Sequence, residues 1–385
     1  MQQAAAPSRE DCSPVRAAIA IPAHNECERL PGCLAGIAGQ RPGPVQWQDI
    51  VVLVLANNCT DGTAAVARAL APVLPFRLIV RDVMLPSESA HAGGARRLAM
   101  AQAAACVVEH GVLLTTDADA VPEPSWLGSN LDCFAAGADG VAGAIRIDPW
   151  EAGQLPPMLR QQIQAEQRYG LLLDRIACLV DPEALDPWPR HPWHSGASLA
   201  LTRRAWLRIG GVPDLPAGED RALVAALRRA GLRVRHAPEV RVVVSARLDG
   251  RAAAGMAETL LHRMLRIATT ADPRLEPSAQ ALFRLRCRAS FRRSWQARCG
   301  QGWSGGPEST ALPGLTTGVL ETALAAPTFW AGWEQVEAGL PRLAPQALPL
   351  SALATESLAA RGIIAALKTK LPGQPAATRA AHLIG

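Results

Sequence analysis

The chain has 385 residues, of which 49% are hydrophobic. This length accommodates one large domain with an appendage or two domains, and such a hydrophobic fraction excludes wholesale disorder. The 39 Lys and Arg residues exceed the 34 Asp and Glu residues only slightly, so the overall charge does not point to nucleic acid as a partner.

Strand-like and helix-like patterns alternate through the first two-thirds of the chain. The N-terminal segment, residues 1–14, lacks an apolar signal core and is expected to be disordered. Strand-like runs then occupy residues 17–22, 50–56, 78–82 and 112–116, and helix-like patterns occupy residues 28–37, 64–70 and 95–110. This alternation predicts a mostly parallel sheet with helices on its faces, and such sheets bind ligands at the carboxyl ends of their strands.

The pattern changes after Gly140. Two strands are predicted, at residues 141–147 and 197–202, with a long irregular and helical insertion between them. A helix and the last strands follow, at residues 219–230 and 234–245, and helices with Pro-rich connections make up the remainder. We therefore predict an α/β domain over residues 15–250 and a helical C-terminal extension over residues 251–385.

Two aspartates follow the strand-like run at residues 112–116. Asp117 and Asp119 are two positions apart, and in extended backbone such residues point to the same side. Both acids can therefore face one site. Carboxylates at a sheet edge suit a divalent metal, and a metal beside carboxylates suits a diphosphate.

Three other loops lie where strands end or a helix begins. They are Pro22-Ala-His-Asn25-Glu26, the turn from Asn57 to Thr63, and Gly218-Glu219-Asp220. Each has an ordinary structural explanation as well, because Asn and Gly shape turns, Asn or Glu can cap a helix, and acids are favoured in the first turn of a helix. The loops gain significance only when they are considered together.

Taken in order, these loops resemble the family 2 glycosyltransferases of the GT-A fold. That family shows P-x-x-N-E after the first strand, an Asn/Asp-rich turn ending in T-D-G-T, a D-x-D motif and an E-D pair before a helix. The resemblance covers roughly residues 17–245. It implies a GT-A (Rossmann-like) mixed, mostly parallel sheet flanked by helices, and metal-dependent, inverting transfer of a sugar from a nucleoside-diphosphate sugar to an acceptor hydroxyl.

The resemblance also implies roles for individual residues. Mg²⁺ or Mn²⁺ would be held mainly by Asp119 and the diphosphate, with Asp117 on the ribose or on a water at the metal. Asp220, beside Glu219, would be the general base that deprotonates the acceptor. The nucleotide-sugar site would comprise Pro22, Asn25, Glu26, Asn57, Asn58, Asp61, Arg96, Asp117, Ala118 and Gly196. Family members often place an acid directly after the second strand, and here none occurs before Asp61, so the base stays open.

Two of these residues also have physical arguments of their own. Arg96 follows Gly93-Gly94 at a helix start, where backbone N–H groups and a guanidinium suit a phosphate, although a surface arginine fits the pattern equally well. Gly196, within Ser195-Gly196-Ala197, would let the donor sugar approach the backbone.

Large aromatic residues of the insertion are candidates for the acceptor side or for the core, namely Trp150, Trp188 and Trp193. No Cys or acidic residue flanks His191 and His194 at ligand spacing, so no zinc site is expected.

Arginine is concentrated near the C-terminus, at Arg284, Arg286, Arg288, Arg292, Arg293 and Arg298. A basic face suits an acidic acceptor, a membrane surface or nucleic acid, but alternating Arg is also common on solvated helix faces. We favour the solvated face and expect no nucleic-acid partner. No window of about 18 uninterrupted apolar residues occurs, so at most peripheral membrane contact is expected.

The cellular context and the alternatives complete the prediction. Nine dispersed cysteines without a C-x-x-C pair fit a reducing compartment, and we expect a cytoplasmic protein. The acceptor would be a small molecule or lipid-linked, and the oligomeric state is not predicted. The alternatives are a sugar-nucleotide nucleotidyltransferase, which would need a Gly-rich basic loop after the first strand, a non-catalytic relative and a retaining mechanism.

Overall fold

The structure is a computed structural model that describes residues 13–41, 43–247, 256–265, 269–300, 312 and 314–369. Most of the N-terminal segment for which disorder is predicted, residues 1–14, lies outside the described residues. The chain divides into two compact units. We call residues 1–156 with 193–265 the sheet unit, and residues 157–192 with 266–385 the helical unit.

The sheet unit contains one eight-stranded mixed sheet in the order β3-β2-β1-β4-β7-β6-β8-β5. The strands are β1 Val15–Ala23, β2 Ile50–Asn57, β3 Arg77–Val83, β4 Val107–Thr115, β5 Val121–Pro122, β6 Gly140–Ile147, β7 Leu199–Thr202 and β8 Val234–Val244. Four neighbouring pairs are parallel, β1 with β2, β1 with β4, β2 with β3, and β6 with β8. Strand β7 is antiparallel to both β4 and β6, and β5 is antiparallel to β8.

The helices are α1 Leu30–Ala38, α2 Thr63–Leu70, α3 Ala92–Ala105, α4 Trp126–Ala135, α5 Pro149–Gln154, α6 Pro157–Val180, α7 Arg203–Ile209, α8 Glu219–Arg229, α9 Met256–Met264, α10 Ser278–Arg298, α11 Thr317–Leu324, α12 Phe329–Gly339 and α13 Leu353–Thr369. Short 3₁₀ turns occur at Trp47–Asp49, Ala71–Val73, Gly196–Ser198, Pro341–Leu343 and Leu350–Ala352. The predicted mixed sheet flanked by helices and the predicted helical C-terminal region are both confirmed.

Strand β2 shows why the central strands read as continuous apolar runs. All of its residues are buried. Val52 and Val54 belong to the hydrophobic core on one face of the sheet, whereas Val51 and Leu53 belong to the core on the other face. Helices therefore cover both faces, which is the condition under which a parallel strand loses the alternation of polar and apolar residues.

One predicted boundary is wrong. The helix-like pattern at residues 95–110 predicts a helix that reaches His110, but α3 ends at Ala105 and β4 begins at Val107. Val107 pairs with Val15 of β1, and the register shifts before Ala17 pairs with Val112. The β-branched Val107 and Val108 favour this extended, paired backbone over a further helical turn.

The helical unit includes α6, which the sequence analysis places in the α/β domain. Helix α6 packs with α10 and α13 because its apolar residues join a core that includes Tyr169, Ile176, Leu285 and Leu353. The buried Tyr169 hydroxyl donates to the carbonyl of Glu276 at 2.7 Å. Apolar burial thus draws residues 157–192 into the same compact unit as the C-terminal helices.

Part of the arginine-rich face of α10 is paired with acids of the helical unit. Arg288 and Arg292 both bind the buried carboxylate of Asp181, at 2.5 and 2.6 Å. Arg284 forms an ion pair with Glu276. These arginines are therefore internal counter-ions. The sequence analysis favoured a solvated face, which does not describe these three residues.

The segment Leu350–Thr369, which includes α13, has the length and the apolar composition of a helix that could cross a membrane. Only 11% of its apolar stretch is buried. Seven described cysteines are free thiols, and Cys106, directly before β4, is disulfide-bonded.

Candidate active site

The sheet topology brings the predicted loops together. Strands β2, β1 and β4 are adjacent and parallel, with Ala23 paired to Ala56 and Ala20 paired to Thr115. Their carboxyl ends therefore lie at one edge of the sheet, where the loops that begin at His24, Asn58 and Thr116 follow. This edge is the one at which parallel α/β sheets bind ligands.

The buried guanidinium of Arg96 connects three of these segments. Its Nη2 donates to Asp117 Oδ1 at 2.7 Å, and its Nε donates to Glu219 Oε1 at 3.0 Å. Its Nη1 donates at 3.0 Å to both Thr115 Oγ1 and the carbonyl of Gly196. Arg96 is only 4% exposed. The D-x-D loop, the E-D pair and the glycine loop therefore converge on one side chain.

The charge of Arg96 is fixed by these contacts. Burial alone lowers the pKa of a guanidinium, but the carboxylates of Asp117 and Glu219 outweigh burial and raise the pKa of Arg96 above its usual range. A permanently charged, planar donor with several N–H groups suits this position, since Lys cannot form the same forked contacts. The geometry makes Arg96 a positioning residue for both carboxylates, and its contact with a phosphate stays a prediction.

Gly196 lies directly against Arg96. A Cβ atom at Gly196 would come within 3.0 Å of three guanidinium atoms of Arg96. Only glycine leaves room for the buried guanidinium while its own carbonyl accepts a hydrogen bond from Nη1. This steric requirement is a reason for a glycine here that is independent of the donor sugar proposed in the sequence analysis.

Asp119 lies beside a second arginine, Arg247. The Asp119 side chain is 21% exposed, and its Oδ2 lies 3.1 Å from Arg247 Nη2. Burial and the charge of Asp117 raise the pKa of Asp119 to about 6, although Arg247 opposes the shift. The pKa of the Cys33 thiol is also raised, mainly by burial and then by the charges of Asp117 and Asp119.

These features decide whether a divalent cation fits. Asp117 and Asp119 supply oxygen ligands of the kind that Mg²⁺ and Mn²⁺ prefer. Within the described ranges, no group of three or more His, Cys, Asp or Glu side chains is placed to hold a metal ion. The two aspartates therefore fit a cation only when a ligand such as a diphosphate contributes further oxygens, as the sequence analysis expects.

A cleft of about 330 Å³ lies beside Asp119. It is lined by residues of the loops after β1, β2 and β8, namely Asn25, Glu26, Cys27, Glu28, Arg29, Thr60, Asp61 and Arg247. Three of the predicted nucleotide-sugar residues, Asn25, Glu26 and Asp61, thus line one cleft.

Two of the cleft residues also fix the loops that form it. Asn25 has a left-handed backbone, with φ 55°, and its Oδ1 accepts a hydrogen bond from the Thr60 N–H at 2.7 Å. Asp61 accepts from the Thr63 and Cys27 N–H groups, each at 3.0 Å. Burial raises the pKa of Asp61, but hydrogen bonds lower it by more, first that from the Thr63 hydroxyl and then those from the two N–H groups. The pKa of Asp61 therefore lies below its usual range. Asn25 and Asp61 therefore hold the two loops together.

The remaining predicted residues have mainly structural contacts. Asn57 is buried and its carbonyl lies 2.8 Å from His24 Nδ1. The side chain of Asn58 exchanges two 3.0 Å hydrogen bonds with the backbone of Leu85. Pro22 lies within β1 opposite Leu55.

Ala118 is also mainly structural. It is part of the hydrophobic core on one face of the sheet. Its side chain therefore packs in the core. The contacts predicted for Pro22, Asn57, Asn58 and Ala118 with a nucleotide sugar stay predictions.

The E-D pair opens α8 after Gly218, whose φ is 75°. Glu219 is buried and is bound by Arg96, whereas Asp220 is half-buried and accepts from the Arg221 N–H at 2.7 Å. Burial and the charge of Glu219 raise the pKa of Asp220, against this hydrogen bond and the charges of Arg96 and Arg221. Glu219 is thus a fixed anchor, and Asp220 is the member suited to accept a proton.

Sequence reasoning missed two arginines that line the cleft, Arg29 and Arg247, and Glu151, the acidic partner of Arg29. Arg247, after β8, pairs with Glu26 and Asp119. Glu151 of α5 accepts from Arg29 and from the Ser245 hydroxyl, at 2.8 Å each. No local motif marks these residues, and the only signal was an arginine at the end of a strand-like run.

The aromatic and histidine predictions divide differently. Trp150 of α5 is 74% exposed in the sheet unit. Trp188 belongs to the helical unit, where the guanidinium of Arg175 lies 4.9 Å from its ring centroid. His194 and His236 approach at 2.9 Å between their Nε2 atoms. Trp150 is therefore exposed, and its contact with an acceptor stays a prediction.

Comparison with known proteins gives a family match for part of this chain. Residues 18–184 match the family model described as "Glycosyl transferase family 2". Residues 18–184 are therefore similar to a glycosyltransferase domain of family 2, and the chain is a glycosyltransferase. No curated protein shows significant similarity to the chain.

Two solved structures are similar to this chain at low sequence identity. The mannosyltransferase PcManGT from Pyrobaculum calidifontis, in complex with GDP-Man and Mn²⁺, is 16% identical, with 94% of this chain and 88% of that chain covered and a TM-score of 0.43. TarS 1-349 of S. aureus in complex with UDP is 13% identical, with 94% and 93% covered and a TM-score of 0.45.

Proposed function

We propose that this protein transfers a sugar from a nucleoside-diphosphate sugar to an acceptor hydroxyl, with a divalent cation and with inversion at the sugar carbon. The family 2 domain supports glycosyl transfer. The observation that carries the finer proposal is Arg96, which holds Asp117 of the D-x-D loop and Glu219 of the E-D pair on one guanidinium. A donor-side group and an acceptor-side group are thereby held in one site.

On the donor side, Asp119 and Asp117 would hold Mg²⁺ or Mn²⁺ together with the diphosphate. The cation, when bound, neutralises charge that builds on the departing nucleoside diphosphate. The chain itself supplies the orientation, since Arg96 holds Asp117 and Arg247 lies between Asp119 and the cleft that it lines. The cleft, lined by Glu26 and Asp61, would take the nucleoside.

On the acceptor side, Asp220 would take the proton from the attacking hydroxyl. Its raised pKa makes it a better proton acceptor than an ordinary carboxylate once it is ionised. Glu219, held by Arg96, fixes the start of α8 and so the place of Asp220. A base near the acceptor and a cation near the leaving group act at opposite ends of one displacement, which predicts inversion.

The test is a panel of UDP- and GDP-sugars with Mn²⁺, in which release of nucleoside diphosphate and binding by calorimetry are measured. We expect Asp119→Asn to weaken donor binding and Asp220→Asn to abolish transfer while donor binding survives. Asp132→Asn, an exposed carboxylate of α4, is the matched control. If the wild-type protein binds no sugar nucleotide and releases no nucleoside diphosphate, the proposal is wrong.

Proton NMR of the product tests the stereochemistry separately, because a retained anomeric configuration would contradict the inverting mechanism. The acceptor, small or lipid-linked, and the cytoplasmic location stay proposals from the sequence.

A further inference from the structure

Arg247 connects two acids that lie far apart in the sequence. Its Nη1 donates to Glu26 Oε2 at 2.9 Å, and its Nη2 donates to Glu26 Oε1, so the pair is bidentate. The same Nη2 lies 3.1 Å from Asp119 Oδ2. The Arg247 side chain is 14% exposed and lines the cleft. One guanidinium is thus shared between a cleft carboxylate and the carboxylate expected to hold the cation.

The two contacts of Arg247 differ in kind. Glu26 is buried and receives both N–H groups of a planar fork, which is a strong and geometrically specific arrangement. Asp119 is more exposed and receives a single, longer contact. The contact with Asp119 is therefore the weaker of the two, and it can be exchanged while Glu26 keeps the arginine in place.

The charges around Asp119 favour such an exchange. Asp117 and Glu26 both act on Asp119 as like charges, and Arg247 and Arg29 act as opposite charges. A divalent cation at Asp119 would lie beside the guanidinium of Arg247, and two positive groups at one carboxylate repel each other. A diphosphate removes that conflict, because its oxygens can accept from the Arg247 Nη2 group that faces Asp119 as well as ligate the cation, while Glu26 keeps the fork.

We propose that Arg247 competes with the divalent cation for Asp119 and becomes a diphosphate-binding residue when the donor arrives. The proposal rests on the function proposed above and adds a residue that the motifs do not include. Its consequence is a binding order: the cation alone binds weakly, and the nucleoside diphosphate with the cation binds well. Arg247 thus couples metal binding to donor binding.

The experiment measures two affinities on the full chain by calorimetry, that for Mn²⁺ alone and that for GDP or UDP in saturating Mn²⁺. In Arg247→Met, we expect Mn²⁺ alone to bind about tenfold more tightly, because a competing charge is gone. We expect the nucleoside diphosphate to bind about tenfold more weakly, because the charged N–H donor that faces Asp119 is gone. Arg247→Lys should lie between wild type and Arg247→Met in both measurements.

Arg29→Met is the matched control for charge. Arg29 lines the same cleft and acts on Asp119 only at a distance, since its ion pair is with Glu151. Its Mn²⁺ affinity should change less than that of Arg247→Met. Equal changes in the two variants would show a general electrostatic effect and would overturn the competition.

The opposite signs of the two changes separate this role from a structural one. Loss of folding would weaken the binding of Mn²⁺ and the binding of the nucleotide together. If Arg247→Met does not fold, Arg247→Lys, which keeps the charge beside Glu26, is measured in its place. Equal Mn²⁺ affinity in wild type and Arg247→Lys, or detectable Mn²⁺ binding in neither, overturns the proposal. A wild-type protein that binds neither GDP nor UDP with Mn²⁺ instead contradicts the proposed function.

Discussion

The Nη2 atom of Arg96 lies 2.7 Å from Asp117 Oδ1, in an ion pair whose arginine is almost wholly buried. The same guanidinium binds Glu219, so the D-x-D loop and the E-D pair share one positive charge. A change at this arginine should therefore affect both loops at once, unlike a change at either carboxylate.

The first prediction concerns that shared charge. Arg96→Met leaves Asp117 and Glu219 without their common partner. Removing one partner of a buried ion pair leaves an uncompensated charge, which lowers the free energy of unfolding by about 3–5 kcal/mol. Thermal or denaturant unfolding measures this loss. The neighbouring Arg97→Met is the control: Arg97 is 50% exposed and its pair with Asp214 is at the surface, so its loss should cost less than about 1 kcal/mol. Equal losses in the two variants would deny the special role of Arg96.

The second prediction concerns the glycine against Arg96. Gly196→Ala places a methyl group within 3.0 Å of the guanidinium, and such overpacking costs about 1–3 kcal/mol. We also expect reduced transfer, because Asp117 and Glu219 would shift with Arg96. The comparison is Gly362→Ala in α13, where a Cβ meets nothing within 4 Å and alanine should stabilise the helix by about 0.5–1 kcal/mol. Unchanged stability in Gly196→Ala would mean that the arginine relocates freely.

The central part of the fold was predictable because its signals are local. The apolar runs that became β1 and β2 and the acids after β4 can be identified within short windows of sequence, and all three strands are adjacent in the sheet. The start of β4 was not predictable, since the Ala-rich segment before Val107 continues a helical pattern and only pairing with β1 reveals the strand.

The key arginines were predicted poorly because their partners are remote. Arg96 binds Glu219 across 123 positions, so the sequence shows only a helix start and suggests a phosphate contact. Arg247 binds Glu26 across 221 positions and belongs to no motif. Local patterns specify loops at a sheet edge, whereas the ion pairs that order those loops depend on the tertiary fold.

The third prediction concerns pH. Asp220 must be ionised to accept a proton, and its pKa is raised above the usual value of 3.8 by burial and by Glu219. Transfer at saturating Mn²⁺ and donor should therefore decline as pH falls through this raised pKa, at a higher pH than an ordinary aspartate would give. Asp220→Asn should lower turnover by about 10²–10⁴-fold and remove the acidic limb of any residual activity. A limb that persists in Asp220→Asn would assign it to another group.

The fourth prediction concerns the stability of the helical unit. Asp181 is buried between Arg288 and Arg292, and although burial raises its pKa, hydrogen bonds and charges from these arginines lower it below the usual 3.8. An acid with a lowered pKa in the folded state stabilises the protein above its unfolded pKa, and this contribution disappears as pH falls through the folded pKa. Asp181→Asn should therefore destabilise the protein by about 3 kcal/mol near neutral pH.

The measurement is chemical unfolding of wild type and Asp181→Asn between neutral and acidic pH. The difference between them should be constant above about pH 5 and should shrink below the unfolded pKa, because protonation removes from wild type what the substitution has already removed. Glu321→Gln, an exposed acid of α11, should stay within about 0.5 kcal/mol of wild type throughout. If the gap between wild type and Asp181→Asn does not depend on pH, packing and not charge is what Asp181 contributes.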